Sequence, residues 1–297
     1  MPSTVSPLLP ILALLFNAFV WGTSWWPFRA LESRDLHPLW ATVLVYLLAV
    51  AAIGALRPRA FAQVARAPAL WVLMAASGVT NAAFNWGVVI GDVVRVVLLF
   101  YLMPLWAALL ARLLLHEPLT RAAGLRVAMA LAGAGIVLWP EANASGLDAW
   151  PLPRALPDWL GLIGGFSFAL NNVMLRREAA RPEEGRALAM FVGGALVAGV
   201  LASALAAQGA VPWVPVAAPG WVAIAVALAA LFIASNLALQ FGAARLPANA
   251  TSVVMLSEVL FAAVSAVALG GGELSTPLVM GGVLILGAAV LAARGSA

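Results

Sequence analysis

The chain has 297 residues, of which 64% are hydrophobic and 9% are charged, and its mean hydropathy is +1.02. Soluble domains carry about 25% charged residues, so this composition excludes an ordinary soluble protein. Without cysteine and with two histidines, the chain has no disulfides, and we expect no metal and no cofactor. All 16 basic residues are arginines, which removes the lysine of a Walker phosphate loop or of a Schiff base.

Ten stretches are apolar enough to cross a membrane as helices of about 20 residues each. In chain order they cover 8–30, 37–56, 68–90, 94–115, 121–139, 158–176, 187–208, 219–242, 247–269 and 275–293. Pro27 and Pro104 lie inside the first and fourth stretches, where they should interrupt the helical hydrogen bonds, and Pro247 should begin the ninth. The sequence therefore predicts an all-α integral membrane protein with ten transmembrane helices.

The arginines indicate how the helices are oriented. If the N-terminus is cytoplasmic, four of the 16 arginines lie outside, namely Arg29, Arg34, Arg95 and Arg154. The remaining 12 then lie inside, as the positive-inside rule expects, so both termini should be cytoplasmic. The arginines are scattered through short connections and form no patch, so no nucleic acid partner is expected.

The two halves of the chain share short sequence patterns. TNAAFNWG at 80–87 resembles SNLALQFG at 235–242, and LLLHEPLT at 113–120 resembles LGGGELST at 269–276. Because five helices per repeat is an odd number, the second copy must enter the membrane upside down. We therefore predict one five-helix repeat over 1–140, a periplasmic linker over 141–157 and an inverted five-helix repeat over 158–297. Secondary transporters commonly have this architecture, with the substrate site near the midplane.

Three segments carry a resemblance to a known family: WGTSWWPF in the first helix, PLWAALLARLLLHEPLT in the fourth and fifth, and SEVLFAAVSAVALGGGELS in the ninth. Together with the ten spans they resemble the drug/metabolite transporter superfamily, in its EamA-type permease branch. The closest likeness is to bacterial inner-membrane exporters of aromatic amino acids. This family often has proline after the glutamate of the ninth helix, whereas Val259 follows Glu258 here. A kink in the ninth helix is therefore not assumed.

Polar and aromatic residues inside the spans are the candidate substrate-binding residues. Helical spacing places them on single faces of their helices: Asn17 and Trp21 on the first, Asn81 and Asn85 on the third, Asn171 on the sixth, and Asn236 and Gln240 on the eighth. Tyr101, in the fourth span, should add an aromatic wall. Amide side chains both donate and accept hydrogen bonds, which suits a zwitterion. They would alternatively serve only to join helices.

Glu258 is a carboxylate near the middle of the ninth span. An isolated charge at that depth costs about 2.5 to 3.5 kcal/mol, so such a residue usually faces a cavity and marks a functional site. It could exchange protons, hold a substrate ammonium group, or do both in competition. A purely structural role, as a protonated group bonded to neighbours, is the alternative.

Other charged residues have simpler explanations. Asp92 and Arg95 are three residues apart at the outer end of the fourth span, and we expect them to pair with each other. Arg29 and Arg95 could also attract an anionic group at an outward-facing mouth.

The predicted function is a secondary transporter that exports amino acids, aromatic or otherwise apolar, from the cytoplasm across the bacterial inner membrane by alternating access. Its partners would be the small-molecule substrate and membrane lipid, and it should work as a monomer. The alternatives are the same fold exporting another small metabolite or a drug, and a passive channel. An enzyme is not expected, because no carboxylate pair, Ser-His-Asp set or metal cluster occurs at membrane depth.

Overall fold

The computed structural model describes residues 8–114, 121–139, 150, 152–178, 180–243, 254–255 and 257–294, and within these it is all-helical. The helices of the first half are α1 (Leu8–Thr23), α2 (Trp25–Glu32), α3 (Pro38–Leu56), α4 (Arg59–Ala65), α5 (Pro68–Ile90), α6 (Val93–Phe100), α7 (Met103–Leu114) and α8 (Arg121–Val137). Those of the second half are α9 (Leu156–Arg177), α10 (Glu183–Ala207), α11 (Pro219–Ala243), α12 (Ser257–Leu269) and α13 (Thr276–Arg294).

Six segments of the described chain are long and apolar enough to cross a membrane. They are Leu8–Glu32, Pro38–Leu56, Pro68–Ile90, Val93–Leu114, Glu183–Ala207 and Pro219–Leu239. Three shorter apolar helices cover Val127–Val137, Ser257–Leu269 and Thr276–Ala288. The chain is therefore a multi-pass membrane protein. Each of the ten predicted stretches overlaps a described helix or a broken pair of helices, the ninth over Ser257–Leu269, and the count of ten spans stays a prediction.

Two of the long spans are broken where proline requires it. A proline cannot donate a hydrogen bond to the carbonyl four residues earlier, and its ring crowds that carbonyl. The carbonyl four residues before Pro27 belongs to Thr23, where α1 ends, and the one before Pro104 belongs to Phe100, where α6 ends. The interruptions predicted for the first and fourth stretches are thus present. Pro247 lies outside the described residues.

Helix α4 was not predicted from the sequence. Ala60 and Val64, one turn apart, are buried, and they anchor this short helix to the bundle. The indole N–H of Trp71 donates to the carbonyl of Val64 at 3.0 Å, and the amide of Gln63 donates to Glu184 at 3.0 Å. These bonds join α4 to α5 and α10. A helix of seven residues is too short for the apolar periodicity that revealed the spans.

The packing places most helices around a common centre and one pair to the side. Helix α5 packs against α9 and α10, α3 against α10 and α11, α1 against α11 and α12, and α9 also against α6 and α7. Helices α8 and α13 pack chiefly against each other. Their backbones approach closely at Gly133 and Gly281, where a Cβ on either glycine would lie 2.6 to 2.7 Å from the carbonyl oxygen of the other.

Charged side chains join several helices at the end of the bundle that is predicted to be the outer one. Arg95 does not pair through its side chain with Asp92, as was expected from their spacing. Its guanidinium instead binds Asp158 at the start of α9, with Nε–Oδ1 at 2.6 Å and Nη2–Oδ2 at 3.1 Å, and it donates to the carbonyl of Val137 at 2.7 Å. Asp92 caps α6 by accepting from the backbone N–H of Arg95 at 2.8 Å, and it also accepts from the N–H of Glu273 at 3.0 Å. Sequence spacing missed Asp158 because the contact joins residues 63 positions apart.

Substitution of Gly133 tests the close packing of α8 on α13. We expect Gly133→Ala to lower the thermal unfolding temperature of the detergent-purified protein, because overpacking costs about 1 to 3 kcal/mol. Gly135→Ala in the same helix is the matched control, since a Cβ there meets no atom within 4 Å. That control should be neutral or slightly stabilising, because alanine favours helix over glycine by about 0.5 to 1 kcal/mol. Equal destabilisation by both substitutions would contradict the packing argument.

Candidate functional site

A cavity of about 120 Å³ lies at the centre of the bundle. It is lined by residues of α1, α3, α5, α6, α9, α10, α11 and α12, together with Met255, whereas α8 and α13 contribute no described residue. The lining comprises Asn17, Trp21, Tyr46, Ser77, Thr80, Asn81, Phe84, Phe100, Phe168, Asn171, Met190, Phe191, Phe232, Asn236, Leu239, Met255 and Glu258. The cavity therefore draws on both halves of the chain.

Aromatic rings form much of the cavity wall. Trp21 stacks on Phe232, with ring centroids 4.7 Å apart and an angle of 14° between the planes. Phe100 contacts Phe84 at 5.0 Å and Phe168 at 5.2 Å between centroids. Rings from α1, α5, α6, α9 and α11 thus contact one another and give the cavity an apolar aromatic wall. Such a wall favours a ligand with an apolar or ring-bearing part, because aromatic pairs contribute about 0.5 to 1.5 kcal/mol beyond area burial.

One group of polar lining residues is tied into a chain of hydrogen bonds. The hydroxyl of Tyr46 donates to Oδ1 of Asn81, and Nδ2 of Asn81 donates to the carbonyl of Ser77 at 2.8 Å. The hydroxyl of Ser77 donates to the carbonyl of Met190 at 3.2 Å. These contacts join α3, α5 and α10 and use up the donors of the three side chains. The group therefore offers a ligand few free N–H or O–H donors.

Two lining amides keep an acceptor free. Asn17 donates through Nδ2 to the carbonyl and hydroxyl of Ser235, at 2.9 and 2.6 Å, and its Oδ1 is buried without a partner among the described residues. Oδ1 of Asn171 is likewise buried and unpartnered there. A buried acceptor without a donor costs about 1 to 3 kcal/mol. Both oxygens are covered by neighbouring atoms, so a ligand or a water molecule would donate to them only after a local side-chain shift.

Glu258 is the only charged side chain among the described lining residues, and it is buried. The hydroxyl of Tyr101 donates to its Oε2 at 3.0 Å. At the backbone level, α1 approaches α12 closely, since a Cβ on Gly22 would lie 2.6 Å from the carbonyl oxygen of Glu258. The absence of a side chain at Gly22 thus lets the backbone of α1 approach the backbone of α12 at Glu258. No ion-pairing arginine reaches Glu258 within the described part of the chain.

The predicted site residues separate into three groups. Six of them line the cavity: Asn17, Trp21, Asn81, Asn171, Asn236 and Glu258. Asn85 and Tyr101 are buried outside the lining, where Asn85 donates to the hydroxyl of Thr42 at 3.0 Å and Tyr101 binds Glu258. The side chain of Gln240 lies outside the described residues.

Sequence reasoning missed the phenylalanines of the wall. Three of them lie about one helical turn from a polar residue that was identified: Phe84 after Asn81, Phe168 before Asn171 and Phe232 before Asn236. The search considered polar residues in apolar spans, and phenylalanine is not unusual in such spans. Helical neighbours at i±3 and i±4 of each amide would have revealed them.

Arg29 and Arg95 were candidates for attracting an anion at an outer mouth, and both guanidinium groups bind protein atoms instead. Arg29 donates to the carbonyls of Val88, Val89 and Gly91 at the end of α5, at 3.2, 3.2 and 2.7 Å. A cation at a helix C-terminus is favoured by the helix dipole. Within the described residues, no group of three His, Cys, Asp or Glu side chains could hold a metal ion.

A membrane-embedded bundle with a central cavity of mixed aromatic and amide lining is an arrangement typical of small-molecule carriers. Residues 8–139 match the EamA-like transporter family, which belongs to the drug/metabolite transporter superfamily. One solved structure, titled only as a crystal structure of a protein, is similar over 95% of this chain and 96% of its own, with 20% identity and a TM-score of 0.61. That likeness shows a shared fold. No curated protein matches the chain.

Single cysteines introduced into this naturally cysteine-free chain test the boundary of the cavity. We expect a cysteine replacing Asn81 to react with a small water-soluble thiol reagent, because Asn81 lines the cavity. A cysteine replacing Asn85, one turn along the same helix and fully buried against Thr42, should stay unreactive. Labelling rates measured by mass spectrometry decide the matter. Faster labelling at position 85 than at position 81 would mean that the cavity borders the face of α5 that carries residue 85.

Proposed function

We propose that the protein is a secondary transporter that exports small molecules, with aromatic or other apolar amino acids as its cargo, from the cytoplasm across the bacterial inner membrane. The observation that carries the proposal is the central cavity, which is lined by one carboxylate and by several aromatic rings. The EamA-like transporter match over residues 8–139 supports transport. Because a single chain supplies the whole described lining, a monomer would suffice.

Alternating access between two inverted repeats is the proposed mechanism, and the helix contacts support it. If the halves 1–140 and 158–297 are exchanged, the contact of α1 with α12 becomes the contact of α9 with α6 and α7. In the same way, α1 with α11 becomes α9 with α5, and α3 with α11 becomes α10 with α5. The pairs α3 with α10 and α8 with α13 map onto themselves. A two-fold relation between the halves predicts this pattern.

The cavity chemistry suits a substrate that carries an ammonium group next to an apolar body. The ammonium would lie against Glu258 and donate to the free acceptor oxygens of Asn17 and Asn171. The apolar body would pack against the rings of Trp21 and Phe232. Both parts are present in an aromatic amino acid.

A second cargo class is favoured by one specific observation: no arginine is among the described lining residues. The carboxylate of an amino acid would then depend on neutral donors alone. Amines that lack a carboxylate avoid this cost, since an unpaired charge is expensive to bury. A cationic drug or another metabolite amine is therefore the alternative cargo within the same transport function.

Efflux from proteoliposomes tests the function and separates the two cargo classes. Vesicles loaded with labelled phenylalanine, phenylalanine methyl ester or phenethylamine share one ring and one amino group, and only the first bears a carboxylate. We expect phenylalanine efflux that saturates with concentration and shows counterflow, as a carrier requires. Efflux of the ester and the amine alone would show that the cargo is an amine and not an amino acid. Non-saturating flux without counterflow would indicate a passive channel, and absence of flux for all three would contradict the proposal.

Substitution of Glu258 tests the role of its carboxylate. A proton on Glu258 would compete with the substrate ammonium, so wild-type transport should rise with pH as the carboxylate loses its proton. We expect Glu258→Gln to reduce flux about 10- to 100-fold, the value of one hydrogen bond to a charged group, and to flatten the pH profile.

Glu273→Gln is the matched control for this experiment, because Glu273 is exposed in the connection between α12 and α13. Its flux and pH profile should equal those of the wild type. A wild-type flux and pH profile in Glu258→Gln would show that the carboxylate has only a structural role.

A further inference from the structure

A second concave site lies away from the central cavity, at the predicted cytoplasmic end of the bundle. It is a groove of about 380 Å³ between α4 and the start of α10. Three arginines line it, Arg59 and Arg66 at the two ends of α4 and Arg181 from the connection between α9 and α10. Its floor includes the apolar side chain of Leu70. Arginines from distant parts of the sequence thus converge on one pocket.

The groove is held in shape by contacts beneath it. Gln63 of α4 donates to Glu184 of α10 at 3.0 Å, and Gly185 leaves room for Gln63, since a Cβ there would lie 2.5 Å from its Oε1. On the other side, the Trp71 indole holds the carbonyl of Val64 at 3.0 Å. Arg59 and Arg66 therefore project from the ends of a helix that is fixed to α5 and α10.

The positive charge of the groove is only partly neutralised. Arg181 pairs with Glu178, and the carboxylate of Glu184 is engaged by Gln63. Arg59 and Arg66 have no carboxylate within ion-pair distance in the part of the chain that the structure describes. Two unpaired guanidinium groups facing one pocket form a site for an anion, and their planar forks match phosphate oxygens.

The surroundings of the groove indicate where the anion comes from. Phe61 of α4 exposes 48% of its surface, Trp71 of α5 exposes 54%, and Leu56 at the end of α3 exposes 74%. Exposed aromatic side chains beside arginines are typical of the boundary between lipid tails and headgroups. A soluble anion would gain nothing from these apolar neighbours, whereas a lipid would place its phosphate between the arginines and its tails against Phe61 and Leu56.

We propose that this groove binds the phosphate headgroup of an acidic phospholipid in the cytoplasmic leaflet. Basic pockets on the cytoplasmic side of helix bundles bind such headgroups through charge and hydrogen bonds. The bound lipid would hold α4 against α5 and α10.

Binding of defined lipids to the full-length protein in detergent, followed by native mass spectrometry, tests the site. Both phosphatidylglycerol and phosphatidylcholine carry a phosphate, but the choline cation makes phosphatidylcholine neutral overall. We therefore expect the wild-type protein to prefer phosphatidylglycerol by about tenfold or more, since each arginine near an acidic headgroup contributes about 1 kcal/mol. The double variant Arg59→Gln with Arg66→Gln should lose this preference. The matched control is Arg112→Gln with Arg121→Gln, which removes two exposed arginines on the same predicted side and should keep it.

Three outcomes would overturn the proposal: no preference in the wild type, full preference in the groove variant, or equal loss in both double variants, which would mean diffuse charge attraction. A separate arm adds inorganic phosphate alone. Displacement of phosphatidylglycerol by millimolar phosphate would make the ligand a soluble anion and overturn the lipid assignment. If the glutamine variant fails to fold, Arg59→Lys with Arg66→Lys replaces it, and its preference should fall below that of Arg112→Lys with Arg121→Lys.

Discussion

The inability of proline to donate a backbone hydrogen bond shapes the centre of this protein. Pro27 and Pro104 break two long apolar spans at the carbonyls of Thr23 and Phe100, and the cavity lies beside both breaks. Next to the first break, the hydroxyl of Ser24 donates to the carbonyl of Trp21 at 2.8 Å. Unsatisfied backbone groups are costly in lipid, so broken helices are tolerated where the break lies inside protein. Trp21 and Phe100 of the aromatic wall therefore lie close to the positions where α1 and α6 end.

Several charged side chains join helices at the predicted outer end of the bundle. Arg29 joins the end of α5 to the segment after α12, where it reaches the carbonyl of Gly271 at 3.4 Å, and Arg95 joins the starts of α6 and α9 to the end of α8. Asp92 adds a bond to Glu273. All of these residues are predicted to lie on the outer side. In the proposed alternating access, opening the cavity toward that side would require these contacts to separate.

Much of this arrangement follows from sequence patterns, and the remainder depends on tertiary contacts. Apolar length revealed the spans, and the prolines revealed the breaks, because both effects are local to one helix. Helical spacing predicted that both Asn81 and Asn85 would face the cavity. It could not distinguish them, because the packing of α3 decides which of the two lines the cavity and which bonds to Thr42. The partner of Arg95 was equally hidden, because Asp158 is brought to it only by the folding of α9 against α6.

Glu258 gives the central cavity its asymmetry. A carboxylate at membrane depth costs about 2.5 to 3.5 kcal/mol, and among the described residues the hydrogen bond from the Tyr101 hydroxyl offsets only part of that cost. In the transport that we propose, a proton or the ammonium group of a substrate would neutralise the charge. Because the two would compete for the same oxygens, release of one would favour entry of the other. Exchange of a proton for the substrate would then need no additional binding site, only a change in which side of the membrane the cavity meets.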